Sequence, residues 1–295
     1  MVNRIAALIT CFNRKDTTLM ALGALFAQKL PPDVFLEVFL VDDGSTDQTG
    51  AAVQARFPQV HVCQGTGSLF WNGGMRLAWE KALERAFDFY LWLNDDTILN
   101  EYTVFRLLTT YNSLKVQCGE LIVVGTTEDP ITGVHNYGGL IRTSWLRRLK
   151  FDLIPPHGQP VRCESMNGNC VLVASSISQR IGILNPALSH LMGDIDYGLR
   201  ATAAGFSIWV MPGPAGTCRS NSDVGTWRDA SLGIALCWAK AKSPKGVPPL
   251  ERLAFAKAHA GMLWPICWSS AYLGIVLRSI RFWFRRGRQC ESRAH

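Results

Sequence analysis

Short apolar runs separated by polar clusters dominate the first two hundred positions, and their lengths and boundaries predict alternating strands and helices. Arg4 to Ile9 reads as a first strand, followed by the polar stretch Thr10 to Arg14. Asp16 is placed to cap a helix running to about Gln28, which Leu30-Pro31-Pro32 closes. Phe35 to Val41 is a strand broken only by Glu37, and it ends at Asp42-Asp43-Gly44-Ser45-Thr46-Asp47. A helix, a short strand near Val60 to Cys63, a glycine-rich loop from Gln64 to Gly74 and a helix from Met75 to Ala86 follow. Phe87 to Leu93 reads as a buried strand that stops at Asn94-Asp95-Asp96, with another helix beginning near Asn100.

Strands this apolar cannot face water on either side, so the alternation predicts an α/β fold with a mainly parallel, Rossmann-like sheet flanked by helices. Ligands of such sheets bind beyond the carboxyl ends of the strands. Thr10 to Arg14, Asp42 to Asp47 and Asn94 to Asp96 each follow a strand, so the three polar clusters are expected along one edge.

Two adjacent carboxylates, Asp95 and Asp96, repel unless a cation lies between or beside them. Either a divalent ion carrying a diphosphate meets them, since hard oxygen ligands suit Mg2+ or Mn2+, or Asn94 and Asp95 form a turn and Asp96 caps the next helix. Asp42 or Asp43 can accept from a base N–H or a ribose hydroxyl, and Arg14 can meet a phosphate; Asp42-Asp43-Gly44 can equally be a tight turn. Asp194 opens a helical pattern in which Ile195, Leu199 and Ala203 share one face, so it reads either as an N-terminal cap or as a reactive carboxylate. Asn136 to Gly139 and the apolar run Val171 to Ala174, after Met166 to Cys170, are further strand candidates.

Composition narrows the class. The chain has 295 residues, 48% of them hydrophobic and 18% charged, enough to bury a full core. Nine cysteines with no C-x-x-C pair argue against a disulfide framework or a common zinc site, and for a reducing, cytoplasmic setting. The net charge of +7 concentrates at the end, where six arginines lie between Arg278 and Arg293; this is not the basic stripe of a nucleic-acid binder. Ala260 to Leu277 is 18 residues without charge, at the lower bound for a membrane span. A single crossing would carry the arginine-rich end outward, against the positive-inside tendency, so either an interfacial segment or a helix packed on protein is expected.

Four stretches in order, TCFNR (Thr10 to Arg14), VDDGSTD (Val41 to Asp47), LWLNDDT (Leu91 to Thr97) and GDIDYGLR (Gly193 to Arg200), resemble the motifs of family 2 glycosyltransferases. GTGSLFWNGGM (Gly65 to Met75) resembles the Gly-Trp-Gly-Gly loop of bacterial rhamnosyltransferase-like members. The resemblance implies a GT-A fold and inverting transfer from a nucleotide sugar, a UDP or dTDP sugar such as dTDP-rhamnose, to a hydroxyl of a glycan or lipid-linked acceptor in cell-surface polysaccharide synthesis. It implies that Asp43, with Asp42, contacts the nucleoside, and that Thr10, Asn13 and Arg14 belong to the same nucleotide site. Asp96 would bind Mg2+ or Mn2+, with Asn94 and Asp95 lining that site. Asp194 would be the catalytic base, and Asp196 its acidic neighbour. Trp71, Asn72, Gly73 and Gly74, and on the acceptor side Asn167 and Asn169, would meet sugar.

One departure stands out. Many relatives carry a histidine some twenty or more residues after the base motif, whereas no histidine lies between His190 and His259 here. Water, Cys218, Asn221 or Arg219 is left to take its place. A sugar-phosphate nucleotidyltransferase would need a basic glycine-rich loop after the first strand, and a dinucleotide oxidoreductase a G-x-G-x-x-G; TCFNRKD offers neither. A non-catalytic membrane adaptor leaves the acidic clusters unexplained. The expectation is a catalytic domain over residues 1–230 and a helical C-terminal extension over 231–295, held peripherally at the inner face of a membrane.

Overall fold

The computed structural model describes residues 3–291. Its contacts divide the chain into two units, one comprising Met1–Thr143 with Phe151–Ser220, the other Ser144–Lys150 with Asn221–His295.

The first unit is α/β. Its strands are β1 (Asn3–Cys11), β2 (Val34–Asp42), β3 (His61–Gln64), β4 (Phe89–Leu93), β5 (Thr97–Leu99), β6 (Leu121–Glu128), β7 (His135–Tyr137), β8 (Gly139–Arg142), β9 (Phe151–Leu153), β10 (Val161–Cys163), β11 (Ser165–Met166), β12 (Cys170–Ala174) and β13 (Ser207–Cys218). The main sheet runs β10-β13-β6-β12-β4-β1-β2-β3, and β11-β8-β9 form a small second sheet. The stretch β4-β1-β2-β3 is parallel, as is the β6–β13 pair. β12 enters antiparallel between β4 and β6. Residues 5 to 9 of β1 and all five of β4 are buried, which is why these strands read as unbroken apolar runs.

The flanking helices are α1 (Lys15–Phe26), α2 (Thr49–Arg56), α3 (Phe70–Ala82), α4 (Thr103–Cys118), α5 (Ser175–Ile181) and α6 (Gly193–Ala203). Trp79 of α3, Trp92 of β4 and Tyr197 of α6 form a buried aromatic triangle with ring centroids 5.1 to 5.5 Å apart. This cluster fixes the end of β4 and helix α6 to one core.

Three expectations need correction. α3 starts at Phe70, inside the segment expected to be a glycine-rich loop, and stops at Ala82. Asp16 lies in the first turn of α1, where Arg14 holds the cap position and no side chain caps the helix. Asp96 does not cap a helix near Asn100: β5 follows it, and α4 begins at Thr103.

The second unit contains α7 (Gly233–Ala241), α8 (Pro249–His259) and α9 (Trp264–Glu291). Tyr272 donates to the Val247 carbonyl at 2.8 Å, and Trp268 donates to the Pro249 carbonyl at 3.1 Å. The uncharged stretch from Ala260 is not one helix, because Gly261–Leu263 is a 3-10 turn and α9 begins after it. Among the described residues no helix is long and apolar enough to cross a membrane. Of the six C-terminal arginines, Arg293 lies outside the described residues.

Candidate functional site

Parallel register aligns the strand ends. Cys11 pairs with Asp42, Asp42 with Gln64, and Leu8 with Trp92, so the loops after β1, β2 and β4 emerge on the same edge. The first two are laced together: Asn13 Oδ1 accepts from Thr46 N–H at 2.7 Å, Asn13 N–H donates to Ser45 Oγ at 2.9 Å, and Lys15 N–H donates to Asp47 Oδ2 at 3.0 Å. Thr10 is buried beneath them.

Asp42 and Asp43 are both buried and hold main chain in place. Asp42 accepts from the N–H groups of Ser45 and Gly50, each at 2.9 Å. Asp43 accepts from Gly67 at 2.8 Å, Leu69 at 2.9 Å and Phe70 at 3.0 Å. Its carboxylate thus satisfies amide groups at the start of α3, where a negative charge is favoured. Asp42 and Asp43 therefore shape the edge through its backbone.

The Trp71-Asn72-Gly73-Gly74 segment is the first turns of α3, and its small residues permit close approach. A Cβ on Gly74 would overlap Thr10 Oγ1 of β1, and one on Gly193 would overlap Asn72 Oδ1. Asn72 is fully buried and donates both amide hydrogens, to the carbonyls of Asn185 at 2.8 Å and Leu188 at 2.6 Å. Those hydrogens hold the loop before α6. Gly73 packs on Leu69.

Trp71 is the junction of the site. Its Nε1–H donates to Asn94 Oδ1 at 2.8 Å, and its ring covers Gly168 so closely that a Cβ there would collide with the indole. Gly168 N–H in turn donates to Asp194 Oδ2 at 2.9 Å. One side chain therefore bridges the acidic edge and the carboxylate that opens α6.

Arg14 stands between the two acidic neighbours, donating to Asp96 Oδ2 at 2.6 Å and to Asp95 Oδ1 at 3.1 Å. Burial pushes the Asp95 carboxyl up to about 7, against the opposing pull of Arg14. The other Asp96 oxygen, Oδ1, accepts from the Cys218 thiol at 3.4 Å, and Asn169, itself buried, donates to Cys218 Sγ at 3.4 Å. Burial first, and the Asp96 charge second, push that thiol up to about 12, so it stays protonated. Cys218 thus stands beside Asp96, on β13 opposite Thr97. Arg219 follows it and is exposed, while Asn221 belongs to the second unit. No arrangement of three His, Cys, Asp or Glu side chains able to hold a metal occurs among the described residues. A protonated thiol is no ligand for a hard cation. The donor set fits Mg2+ or Mn2+ in one manner, with Asp96 as the protein oxygen and most other ligands from diphosphate and water.

Asp194 Oδ1 accepts from Ile195 N–H at 2.8 Å. The side chain keeps a partial opening to solvent, yet protein atoms surround it closely, and this burial raises its pKa above the ordinary aspartate range despite the two amide donors. Asp196 is buried and paired with Arg200 at 2.8 Å, and Arg200 also donates to the carbonyls of Ile181 and Ile183 at 2.8 Å. Asp196 thereby braces the chain leading into α6. Asn167 Oδ1 accepts from Gly138 N–H at 3.4 Å, and the Asn169 carbonyl accepts from Asn94 N–H at 3.2 Å. Among the described residues, those other than glycine with positive φ are Asn13, Gln48, Phe70 and Met192, all in the loops or helix starts around this edge. Such strain collects at functional sites. A separate recess of about 380 Å³ between Arg76 and Arg200 contains none of the motif acids.

Sequence reasoning missed Cys218 as the partner of Asp96 and Trp71 as a bridge. The only signal was the absent histidine, which left Cys218 among the candidates for its place.

The family model of Glycosyl transferase family 2 matches residues 6–170, more than half of the 295-residue chain. No curated protein matches the sequence. A crystal structure of S. aureus TarS aligns with a TM-score of 0.52 and 13% identity over 86% of this chain, which spans 42% of that protein's length. A TarS 1-349 complex with UDP aligns at 0.52 with 14% identity, covering 86% of this chain and 70% of the other. The mannosyltransferase PcManGT from Pyrobaculum calidifontis, in complex with GDP-Man and Mn2+, gives 0.52 and 17% identity over 95% of this chain and 76% of its own. At these identities the likeness is one of fold, and that fold is GT-A.

Proposed function

The chain belongs to glycosyl transferase family 2, and from that premise we propose that it is an inverting, metal-dependent transferase moving a sugar from a UDP or dTDP donor, dTDP-rhamnose included, to a hydroxyl of a glycan or lipid-linked acceptor. The observation that carries this reading is the path from Asn94 through Trp71 and Gly168 to Asp194, which brings the acidic strand end and the base-bearing helix to one side chain.

The nucleoside lies against the loops after β1 and β2, between Thr10, Asn13 and the main chain that Asp42 and Asp43 hold. Arg14 is half-exposed and reaches Asp95 and Asp96 through a single nitrogen, Nη1, so its other donors can turn to a diphosphate. Bound Mg2+ or Mn2+, held by Asp96 with Asn94 and Asp95 alongside, would offset the negative charge that grows on the leaving diphosphate. Asp194 takes the proton of the acceptor hydroxyl as its oxygen attacks the anomeric carbon from the face opposite the leaving group. Burial suits Asp194 to this, because a carboxylate above its ordinary pKa is a stronger base. The sugar lies against Trp71, with Gly73 and Gly74 behind it and Asn167 and Asn169 on the acceptor side. Asp196 supports the base by fixing the start of α6.

The glycan belongs to the synthesis of cell-surface polysaccharide, made on the cytoplasmic face of a membrane to which the enzyme attaches peripherally. Thermal stabilisation and metal-dependent hydrolysis across UDP-, dTDP- and GDP-sugars test the donor assignment. A UDP or dTDP sugar is expected to stabilise the protein in the presence of Mn2+, and a response to none of the three sets would remove the reading.

A further inference from the structure

The second unit exposes an apolar surface that glycosyl transfer does not use. α9 buries one side, with Cys267, Tyr272, Ile275 and Ser279 all covered. Ile266, Leu273, Leu277 and Ile280 recur at helical spacing on the opposite side and are 64%, 59%, 54% and 41% exposed. Met262, just before the helix, is 97% exposed. A helix apolar on both sides, with only one covered, leaves a stripe that water disfavours.

A distant part of the chain supplies similar chemistry. Ser144–Lys150 lies between β8 and β9 in sequence but belongs to the second unit by its contacts. It exposes Trp145 and Leu146 at 74% and 55%, beside exposed Arg147, Arg148 and Lys150. The Arg148 guanidinium lies 3.1 Å from where a Cβ on Gly261 would be, which seats this segment against the turn that presents Met262.

The charges choose the occupant. Neither residues 144–150 nor residues 260–290 contain an Asp or Glu, while Arg147, Arg148 and Lys150 of the former and Arg281 of the latter are exposed. Two copies meeting through this face would set the exposed Arg147, Arg148, Lys150 and Arg281 against the same cations of the other copy. An anionic headgroup layer above an acyl region satisfies both the cations and the apolar stripe.

We propose that Trp145 and Leu146 join Met262 and the Ile266, Leu273, Leu277, Ile280 face of α9 in one composite surface that lies on an anionic bilayer with α9 in the interfacial plane. This deepens the peripheral attachment proposed above by naming its second, internal segment and its lipid class. The order is that of an amphipathic interfacial helix, with apolar side chains dipping into the acyl boundary and arginines at the headgroups.

The test is co-sedimentation of the full chain, without donor or acceptor, with vesicles of phosphatidylcholine alone or mixed with phosphatidylglycerol. The wild type is expected to bind the anionic vesicles and to be released by high salt. L273E/L277E should weaken binding by about tenfold or more, and W145S/L146S by several-fold, on exposed positions where neither pair disturbs a core. Light scattering checks the mass of each variant, and circular dichroism with a thermal melt checks its fold. No binding by the wild type, or unchanged binding by L273E/L277E, overturns the proposal. Unchanged binding by W145S/L146S overturns the composite surface. A dimer that L273E/L277E dissociates, with no vesicle binding, assigns the face to a second copy and also overturns it. Donor hydrolysis measured without vesicles keeps failure of the transferase reading separate.

Discussion

Asp194 and Arg14 carry the sharpest expectations at the scale of single residues. Burial holds Asp194 above its ordinary pKa, so with Asp194 as the proposed base kcat/KM should fall on acidification along a limb lying above the ordinary aspartate range. Trp71→Ala uncovers Gly168 beside it, admits water and should move that limb to lower pH; a limb unmoved by Trp71→Ala means that something else desolvates the carboxylate. Arg14→Met removes the counter-charge of buried Asp95 and its neighbour Asp96. Because Asp95 is raised to about 7, it is mostly neutral at pH 5 and mostly charged at pH 8. The loss should therefore be about 1–2 kcal/mol at pH 8, modest because Arg14 is half-exposed, and smaller at pH 5. Urea titrations at the two pH values measure it, and an equal loss at both would show that the Asp95 charge is not what Arg14 balances. The motif acids were legible in sequence, but their use was not. Nothing in VDDGSTD reveals that Asp43 satisfies three main-chain amides, nor does GTCRS reveal that Cys218 meets Asp96, because both depend on where a remote strand or helix start comes to lie.

At the scale of elements, α3 shows best where sequence and structure part. Gly73-Gly74 and the glycines before them read as a loop on local propensity, which disfavours glycine inside a helix by about 1 kcal/mol. Tertiary packing overrides that preference, since only glycine at 74 lets α3 rest on Thr10 of β1. Gly74→Ala should consequently destabilise the fold by about 1–3 kcal/mol rather than gain helix propensity, and thermal melts decide the sign. Trp71→Phe keeps an aromatic ring over Gly168 while removing the hydrogen bond to Asn94. Its expected mark is a kcat reduced by about tenfold with an unchanged melting temperature, and a parental kcat would deny the bridge a role in turnover. Strands β1, β2 and β4 were readable because burial on both faces writes itself as an apolar run. The antiparallel entry of β12 between β4 and β6 was not, since pairing partners distant in sequence leave no local trace.

At the scale of the molecule, the parallel strand ends, the laced loops and the aromatic triangle of Trp79, Trp92 and Tyr197 explain how the acidic end of β4 and Asp194, more than ninety positions apart, come to be linked through Trp71. The common edge of the strand ends was foreseeable from three polar clusters each following a strand. The membership of Ser144–Lys150 in the second unit was not, because composition marks this segment only as a basic loop with one tryptophan. The central claim is that Asp194 faces a sugar donor held at the Arg14, Asp95 and Asp96 edge, and Asp194→Asn tests it in one preparation. Calorimetric binding of the UDP or dTDP sugar should match the wild type, while transfer to acceptor falls by about 100-fold or more. Transfer by Asp194→Asn at the parental rate would contradict the account.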